Sequence, residues 1–319
     1  MNKNKIPVIV IFAPTATGKT ALTEKLFGSG SHSFFKDILH GTEIISADSM
    51  AVYKGMDIGT AKPDKALLQK IPHHMIDLFS PDVQFTVSEF VERADSLCSE
   101  IYSRKKIPVI SGGTGFYIRN FLLGLPDTPE SDPVLRERLK SELESSGREY
   151  MYEKLKTVDP QSAEKIHPND SFRLLRALEV FYLTGKPRSS FELSASLREQ
   201  YNFLPVILER DREDLYQRID MRVEQMFENG LVNEVVSLMN AGYKKDDPGM
   251  QAIGYREFFT EESIDKIKER IKYDSHLYAK KQYVFMKGIP GARTFFLQPN
   301  QDYTEELIKT IENFIYNFE

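Results

Sequence analysis

The fold is decided by residues 8–20, Val-Ile-Val-Ile-Phe-Ala-Pro-Thr-Ala-Thr-Gly-Lys-Thr. The apolar run Val8–Phe12 predicts a buried strand, and Ala21 to Phe27 is compatible with a helix. A tight loop between a strand and a helix presents backbone N–H groups to an anion, and the helix dipole favours negative charge there. Lys19 would add a cation for an outer phosphate, and the Thr20 hydroxyl could hold Mg²⁺. The stretch therefore predicts a phosphate or diphosphate site.

One position departs from the pattern G-x-x-x-x-G-K-[ST]. Ala13 stands where glycine usually allows a positive φ and close backbone approach, so the loop requires Ala13 to keep a negative φ. A strand–turn–helix without a ligand is the alternative interpretation. Gly-Lys-Thr directly after an apolar strand favours a phosphate-binding loop, formed by Ala13, Pro14, Thr15, Ala16, Thr17, Gly18, Lys19 and Thr20.

Composition limits the class of protein. The chain has 319 residues, of which 41% are hydrophobic and 28% charged, as is typical of a soluble globular protein with more than one domain. No apolar stretch approaches the ~20 residues that span a bilayer, so no membrane partner is expected. The single cysteine, Cys98, excludes internal disulfides and cysteine-based zinc sites and indicates a cytoplasmic setting.

The formal net charge is −5, which does not suggest a nucleic-acid-binding protein as a whole. Two segments are nevertheless locally basic, one between Ser171 and Arg188 and one between Ile271 and Arg293. Such runs are usually solvated faces, but a nucleic acid also needs only a local basic patch. Charge alone leaves both interpretations open.

Short apolar strands alternate with helical patterns over the first 120 residues. This order predicts an α/β fold with a P-loop-type parallel sheet covered by helices. Ligands bind such sheets at the carboxyl ends of the strands, and the phosphate loop, Asp48 and the Gly112–Gly115 turn all follow strand ends. The predicted elements are strands at Val8–Phe12, Thr42–Ser46 and Ile107–Ile110, and a helix from Val87 to Arg104.

A change of character from Pro126 onwards predicts a second domain. The proline-rich segment Pro126–Pro133 precedes polar helical patterns, which predict an all-helical insertion over residues 125–200. Residues 1–124 and 201–319 would form the catalytic core. The remaining predicted elements are a loop at Gly28–Gly41, insertion helices at Val134–Ser146, Glu149–Lys156, Pro160–Ile166 and Ser171–Thr184, strands at Phe203–Leu208 and Thr294–Leu297, and a helix from Arg212 to Glu228.

Asp48 follows an apolar strand and would face the phosphate loop. It could hold Mg²⁺ through water, or accept a proton from an attacking nucleophile. The alternative is an aspartate that only caps a helix or a turn. In the Gly112–Gly115 turn, Thr114 offers a hydroxyl at the same edge. The following Phe116 and Tyr117 could line a pocket or stack on a base.

Two arginine pairs could complete the site. Arg218 and Arg222 are spaced i,i+4, and Arg173 and Arg176 are spaced i,i+3, so each pair can face one anion. Ion pairing with neighbours such as Glu179, Asp214 or Glu224 is the alternative. The six histidines form no metal-like set; the adjacent His73 and His74 point different ways and are interpreted as structural or as a turn.

Several long motifs resemble those of the bacterial tRNA dimethylallyltransferases, also called tRNA isopentenyltransferases. They occur in the same order and cover nearly the whole chain. The most specific is residues 53–63, Tyr-Lys-Gly-Met-Asp-Ile-Gly-Thr-Ala-Lys-Pro. The others are residues 14–20, 44–49, 72–77 (Pro-His-His-Met-Ile-Asp), 112–117, 166–170 (Ile-His-Pro-Asn-Asp), 173–179, 253–257 (Ile-Gly-Tyr-Arg-Glu) and 279–282 (Ala-Lys-Lys-Gln).

The resemblance implies transfer of a dimethylallyl group from its diphosphate to N6 of adenosine 37 in tRNA. It implies that Lys19 and the loop hold the diphosphate, with Mg²⁺ at Thr20 and an extra cation from Arg218 or Arg222. Asp48 would accept the proton of the amine, and Thr114 would line the reaction channel. The partners would be dimethylallyl diphosphate and the tRNA anticodon stem-loop, which the insertion would grip, and we expect a monomer.

The resemblance also implies a set of tRNA contacts. This chain departs from the family at several of them: Ala51 and Phe172 stand where Gln is common, Ser275-His276 where Thr-Arg is common, and Lys281 where Arg is common. A histidine at 276 would make that patch pH-dependent. The implied contacts are Asp48, Ser49, Met50, Ala51, Thr114, Arg136, Phe172, Arg173, Leu174, Leu175, Arg176, Gln251, Gly254, Tyr255, Arg256, His276, Lys280, Lys281 and Gln282.

Three other functions remain open on sequence. An adenylate isopentenyltransferase would use free AMP, ADP or ATP, but the insertion and residues 279–282 argue against it. An ATP-dependent small-molecule kinase is compatible with a nucleotide-binding loop, although the strand before Ser111 ends without a Walker B acid. A nucleotide-binding regulatory module without catalysis is the third.

Overall fold

A computed structural model of the chain describes residues 5–28, 41–260, 262–298 and 303–316. The chain divides into two compact units: a core unit, Met1–Leu122 with Ser196–Glu319, and a helical unit, Leu123–Ala195. The loop predicted at Gly28–Gly41 lies outside the described residues except at its ends.

The core unit is built on a parallel sheet, which confirms the predicted fold class. Within the described residues the strand order is β3-β2-β4-β1-β5-β6, and every pair is parallel. β1 pairs with β4 on one side and β5 on the other, so its apolar run is buried on both faces. The strands are β1 (Ile6–Phe12), β2 (Thr42–Ala47), β3 (His73–His74), β4 (Ile107–Gly112), β5 (Tyr201–Arg210) and β6 (Arg293–Leu297).

β3 is the strand that the sequence did not predict. It has two residues and pairs with β2 at the sheet edge, where His73 lies beside Ile44 and His74 beside Ile45. The His73 Nδ1 atom lies 2.8 Å from the Ile71 carbonyl oxygen. Both histidines therefore lie in an edge strand rather than a turn, and His73 also lines the cavity described below.

Helices cover the sheet. α3 has a capping box, in which the Thr86 hydroxyl accepts from the Glu89 N–H and the Glu89 carboxylate accepts from the Thr86 N–H. The helices of the core unit are α1 (Lys19–Phe27), α2 (Lys65–Lys70), α3 (Val87–Ser103) and α4 (Gly115–Leu123, whose last residue falls in the helical unit), and, after the helical unit, α8 (Arg212–Glu228), α9 (Leu231–Asn240), α10 (Ile264–Met286) and α11 (Thr304–Tyr316). Among the described residues, no helix combines the length and apolar character needed to cross a membrane.

The helical unit contains α5 (Pro133–Val158), α6 (Pro160–Lys165) and α7 (Ser171–Thr184). Gly147 interrupts α5 with φ 85° and ψ 164°, which explains why the sequence predicts two helices there. The buried cluster of the unit includes Leu139, Met151, Leu155, Leu174 and Leu178. The unit therefore has an apolar core of its own.

Candidate active site

A cavity of about 510 Å³ opens at the carboxyl edge of the sheet in the core unit. Its lining comes from the loops after β1, β2 and β4 and from one face each of α8 and α10. The polar lining residues include Lys19, Thr20, Asp48, Arg218, Arg222, Tyr278 and Gln282. The topology thus brings the phosphate loop and Asp48 into one cavity, as expected for the carboxyl edge of a parallel sheet.

The phosphate loop ends in a helix start without a side-chain cap. Gly18 precedes α1 with φ 100°, and no side chain caps the first turn. The N–H groups of that turn, beginning at Lys19, therefore face the cavity edge without an intramolecular side-chain acceptor. Ala16 has φ 60°, whereas Ala13 keeps a negative φ and is fully buried. The alanine at the first motif position is compatible with the loop for this reason.

Burial and charge shape the cations of the cavity. Burial lowers the pKa of Lys19, the Asp48 carboxylate opposes this shift, and Arg222 adds to it. Burial also lowers the pKa of Arg222, again opposed by Asp48. These mutual effects place Lys19, Asp48 and Arg222 within electrostatic reach of one another, in a site where an added anion would be strongly favoured.

The two arginines of α8 have different partners. The Arg222 Nη1 atom donates to the Thr15 hydroxyl at 3.2 Å, so this guanidinium lies directly on the phosphate loop. The Arg218 Nε atom donates to the Asp214 carboxylate at 3.1 Å. The same carboxylate accepts from Arg210, whose Nε donates to the Thr17 carbonyl oxygen at 2.7 Å. The geometry therefore favours Arg222 as the anion-binding arginine, while Arg218 shares an ion pair.

Asp48 and Thr114 are held beside each other by the ends of β2 and β4. The Met50 N–H donates to the Asp48 carboxylate at 2.9 Å, and the Ser49 N–H donates to the Thr114 hydroxyl at 3.0 Å. Burial raises the pKa of Tyr278 to about 12, and Asp48 adds to the rise. Thr114 and Gln282 act in the opposite direction on this pKa, so both side chains lie close to the Tyr278 hydroxyl.

Gln282 joins the phosphate loop to the turn after β4. Its Oε1 atom accepts from the Thr15 N–H at 2.9 Å, and its Nε2 atom donates to the Gly113 carbonyl oxygen at 2.7 Å. A Cβ atom on Gly113 would lie 2.4 Å from Gln282 Nε2, so glycine is required for this approach. The Gln282 side chain is buried. Its amide therefore ties the phosphate loop to the turn after β4 at the cavity wall, and its tRNA contact stays a prediction.

The oxygen donors of the cavity suit a magnesium ion carried by a phosphate ligand. Thr20 is exposed at the first turn of α1, and the Asp48 carboxylate lines the same cavity. Within the part of the chain that the structure describes, no group of three or more His, Cys, Asp or Glu side chains could hold a metal alone. Mg²⁺ usually keeps several waters and binds through one or two protein oxygens plus substrate phosphates.

The remaining predicted tRNA contacts of the core unit differ in how exposed their side chains are. Lys280 and Lys281 are exposed on α10, and Gln251 is exposed with its amide donating to the Lys245 carbonyl oxygen. His276 pairs with Asp220 at 2.9 Å, and Arg256 pairs with Asp274. Ala51 and Tyr255 are buried, and Ala51 lines the cavity; their tRNA contacts stay predictions. Gly254 has φ 95° and donates its N–H to Glu257, while Ser49 and Met50 are half-buried.

In the helical unit, Phe172 and Arg173 are the exposed members of the predicted set. Phe172 is 69% exposed, and the Arg136 guanidinium lies 4.9 Å from the centre of its ring. Arg136 and Arg176 both donate to Glu179, which is fully buried, so ion pairing holds for these two. Leu174 and Leu175 belong to the buried cluster of the unit, and direct tRNA contact by their side chains is corrected to a packing role.

Comparison with known proteins identifies the family of the chain. A model of the IPP transferase family matches residues 51–288. The chain belongs to the IPP transferase family. It is 42% identical to the tRNA dimethylallyltransferase of Thermoanaerobacter sp. (strain X514), with 97% of this chain and 98% of that protein covered. It is also 42% identical to the tRNA dimethylallyltransferase of Clostridioides difficile (strain 630), with 94% and 95% covered.

Solved structures of the family share the fold. A full-length tRNA isopentenylpyrophosphate transferase from Bacillus halodurans is 32% identical, with a TM-score of 0.69 and 98% of each chain covered. A eukaryotic dimethylallyltransferase, described in crystallographic snapshots of its action on tRNA, is 29% identical, with a TM-score of 0.82 over 98% of this chain and 80% of that one. The resemblance of the motifs to this family is therefore confirmed, and the chain is a prenyltransferase.

The sequence analysis did not single out Tyr278, which lines the cavity, or Arg210, which bonds to the phosphate loop. Tyr278 lies four positions before Gln282 on α10, one helical turn away, and this spacing could have drawn attention to it. Arg210 ends β5, and a polar residue at the carboxyl end of a parallel strand carries the same signal as Asp48. Tyr117, in contrast, is buried with its ring stacked on Phe90 at 4.5 Å, so it packs in the core and does not line the cavity.

Proposed function

We propose that this protein transfers the dimethylallyl group of dimethylallyl diphosphate to N6 of adenosine 37 in tRNA. The observation that carries the proposal is the placement of the Asp48 carboxylate in the same cavity as Lys19 and Arg222. An acid opposite an anion-binding loop suits a reaction in which a proton leaves one substrate and an anion leaves the other. The family supplies the identity of both substrates.

The transfer forms one carbon–nitrogen bond and breaks one carbon–oxygen bond, and a proton passes from N6 to Asp48. The N6 lone pair attacks the first carbon of the dimethylallyl group, the carbon–oxygen bond to the diphosphate breaks, and its electron pair leaves with diphosphate. Asp48 accepts the proton that N6 loses. The lone pair of an exocyclic amine is delocalised into the base, so holding the amine in line matters more than the basicity of Asp48. Thr114, whose hydroxyl accepts from the Ser49 N–H, would lie beside it.

The leaving diphosphate is held by the phosphate loop. The N–H groups at the start of α1, the Lys19 ammonium and the Arg222 guanidinium would take up its developing charge. Thr20 would hold Mg²⁺ together with the diphosphate, and the ion supplies further charge neutralisation when bound. Since ATP presents the same kind of polyphosphate, we expect it to bind this loop and compete with the prenyl donor.

The target base has to leave its stack to reach the cavity. We propose that the helical unit grips the anticodon stem-loop through the exposed pair Phe172 and Arg173. A ring lying on the Arg136 guanidinium offers a flat face for an unstacked base, and Arg173 offers a phosphate contact. The exposed Lys280 and Lys281 would contribute phosphate contacts from the core unit. We expect the reaction to take place in the cytoplasm and the enzyme to be a monomer.

One assay separates this function from its alternatives. The purified protein is incubated with labelled dimethylallyl diphosphate and Mg²⁺, and with either unmodified tRNA or AMP. We expect label in tRNA, at adenosine 37, and inhibition by ATP. Label in AMP alone would identify an adenylate isopentenyltransferase, ATP consumption without prenyl transfer a kinase, and no turnover with either acceptor a regulatory module.

A further inference from the structure

The most specific motif of the sequence has no part in the chemistry described so far. Its last four residues, Thr60–Pro63, line the cavity and are called the wall segment here. Lys62 does not face a diphosphate: its ammonium is bound by Asp57 at 2.8 Å, by Asp77 and by the Tyr53 carbonyl oxygen, and its side chain is 4% exposed. The wall segment is therefore positioned by internal bonds and supplies shape to the cavity.

Glu234, in the first turn of α9, holds the residues that precede the wall segment. Its Oε2 atom accepts from the N–H groups of Asp57 and Ile58, each at 2.9 Å. Its Oε1 atom accepts from the Gly59 N–H at 3.2 Å. Three consecutive backbone N–H groups thus converge on one carboxylate, the arrangement that elsewhere binds a free anion.

Tyr255 completes this carboxylate site. Its hydroxyl donates to Glu234 Oε1 at 2.6 Å and accepts from the Gly59 N–H at 3.1 Å. The ring is fully buried, and a Cβ atom on Gly59 would lie 2.5 Å from it, so only glycine fits there. Burial, with the Glu234 charge, raises the pKa of Tyr255, which keeps its hydroxyl a donor at all ordinary pH values.

These contacts join three separate parts of the sequence. The N–H groups of residues 57–59 and the Tyr255 hydroxyl are four donors to the Glu234 carboxylate, and the chain enters the cavity wall directly after residue 59. We propose that Glu234 is a positioning residue for prenyl-diphosphate binding, acting through the backbone of residues 57–59 on the wall segment. The identity of the ligand rests on the proposed function. The linkage between Glu234 and the wall segment, through the backbone of residues 57–59, does not depend on it.

Glu234→Gln is the sharpest test, because it keeps the size of the side chain. The substitution replaces one carboxylate oxygen with an NH₂ group. This group is a hydrogen-bond donor, so the N–H or O–H groups that bonded to the lost oxygen would have no acceptor there. We expect KM for dimethylallyl diphosphate to rise about tenfold, as for one lost charge-assisted hydrogen bond, with kcat changed less than about threefold. Glu234→Asp keeps the charge and should restore part of the affinity. Glu228→Gln, at an exposed position near the end of α8, is the matched control.

Two measurements without tRNA separate this inference from the proposed function. Amide hydrogen exchange over residues 54–63 should quicken in Glu234→Gln and not in Glu228→Gln, and calorimetry with inorganic pyrophosphate and Mg²⁺ should show about tenfold weaker binding. If the wild type binds pyrophosphate but prenylates no tRNA, the proposed function fails and the linkage stands. Unchanged exchange and unchanged KM in Glu234→Gln, beside an active wild type, would overturn the inference.

Discussion

Asp48 is aimed by backbone groups rather than by other charges. Its carboxylate accepts from the Met50 N–H, and the neighbouring Ser49 N–H is bound by Thr114, so the turn after β2 fixes both side chains. A carboxylate held in this way has little freedom to move away from the amine whose proton we propose it accepts. Its contribution is therefore expected in the chemical step.

Asp48→Ala should lower kcat by two or more orders of magnitude, in the range for loss of a positioned acid–base group. The affinity for tRNA should change little, because one carboxylate is a small part of a nucleic-acid interface. Single-turnover kinetics with labelled donor, beside a filter-binding measurement of tRNA, test both statements. A variant with near-normal turnover would remove Asp48 from the chemistry.

Substitutions of the two arginines of α8 can be compared directly, because both lie on one helix and differ in their partners. Arg222 bonds to Thr15 of the phosphate loop, whereas Arg218 is engaged by Asp214. Arg222→Ala should reduce kcat/KM for dimethylallyl diphosphate by about two orders of magnitude, since charge on a leaving diphosphate is most strongly stabilised by a group that is already in place. Arg218→Ala should cost less than about tenfold. Equal losses in the two variants would contradict the assignment.

The sequence predicts single site residues well where one chemical group follows a strand end. Lys19 and Asp48 were predicted in this way, and the structure places them in one cavity. Which of Arg218 and Arg222 is engaged elsewhere depends on Asp214 and Arg210, and spacing along a helix does not contain that information. The linking role of Gln282 requires knowing that α10 returns to the first loop of the chain.

At the scale of elements, a charged cluster joins β2, β3 and the end of α3. Glu43 is 4% exposed and lies 2.7 Å from His74, 2.7 Å from Arg104 and 2.9 Å from Lys106. Burial alone would raise the pKa of Glu43, but hydrogen bonds from Lys106, His74 and Arg104 outweigh it and lower the pKa to about 2. These bonds tie the edge strand to the sheet.

The lowered pKa of Glu43 sets a direction for stability against pH. Because the folded value of about 2 lies below the ordinary value of 4.5, the stabilisation is complete above pH 4.5 and is lost as the pH falls towards 2. A shift of that size corresponds to roughly 3 kcal/mol. Glu43→Gln should therefore lower Tm at pH 6, and the difference from wild type should narrow at pH 3. A difference independent of pH, or one matched by the exposed control Glu100→Gln, would contradict this account.

Elements with strong local signals agree closely with the sequence. α7 begins and ends where predicted, because the Asp170 side chain accepts from the Arg173 N–H at its start and Gly185 takes φ 69° at its end. β3 was missed because two histidines carry no apolar pattern, and the side-chain partner of His74 is Glu43, 31 residues away along the chain. A strand whose partners are distant along the chain cannot be predicted from its local sequence pattern.

At the scale of the whole molecule, a net charge of −5 has to be reconciled with a polyanionic substrate. A local positive region can bind a polyanion even when the net charge of the chain is negative. Burial, followed by repulsion from Arg176 and Arg173, lowers the pKa of Arg188, so these three guanidinium groups share one positive region of the helical unit. Within that region Arg176 is bound to the buried Glu179, whereas Arg173 is largely exposed. The two arginines should therefore respond differently to substitution.

Arg173→Ala is the clean test of a phosphate contact. Its loss should weaken tRNA binding and reduce the slope of log K against log salt by about 1, since one fewer counterion is released. Arg176→Ala is expected to lower Tm as well, because it leaves the buried Glu179 with fewer partners. Lys309→Ala, on the acidic helix α11, serves as a control of equal charge change and should leave the slope unaltered. An unchanged slope in Arg173→Ala, with intact Tm, would make the positive region a solvated face and leave tRNA recognition to other surfaces.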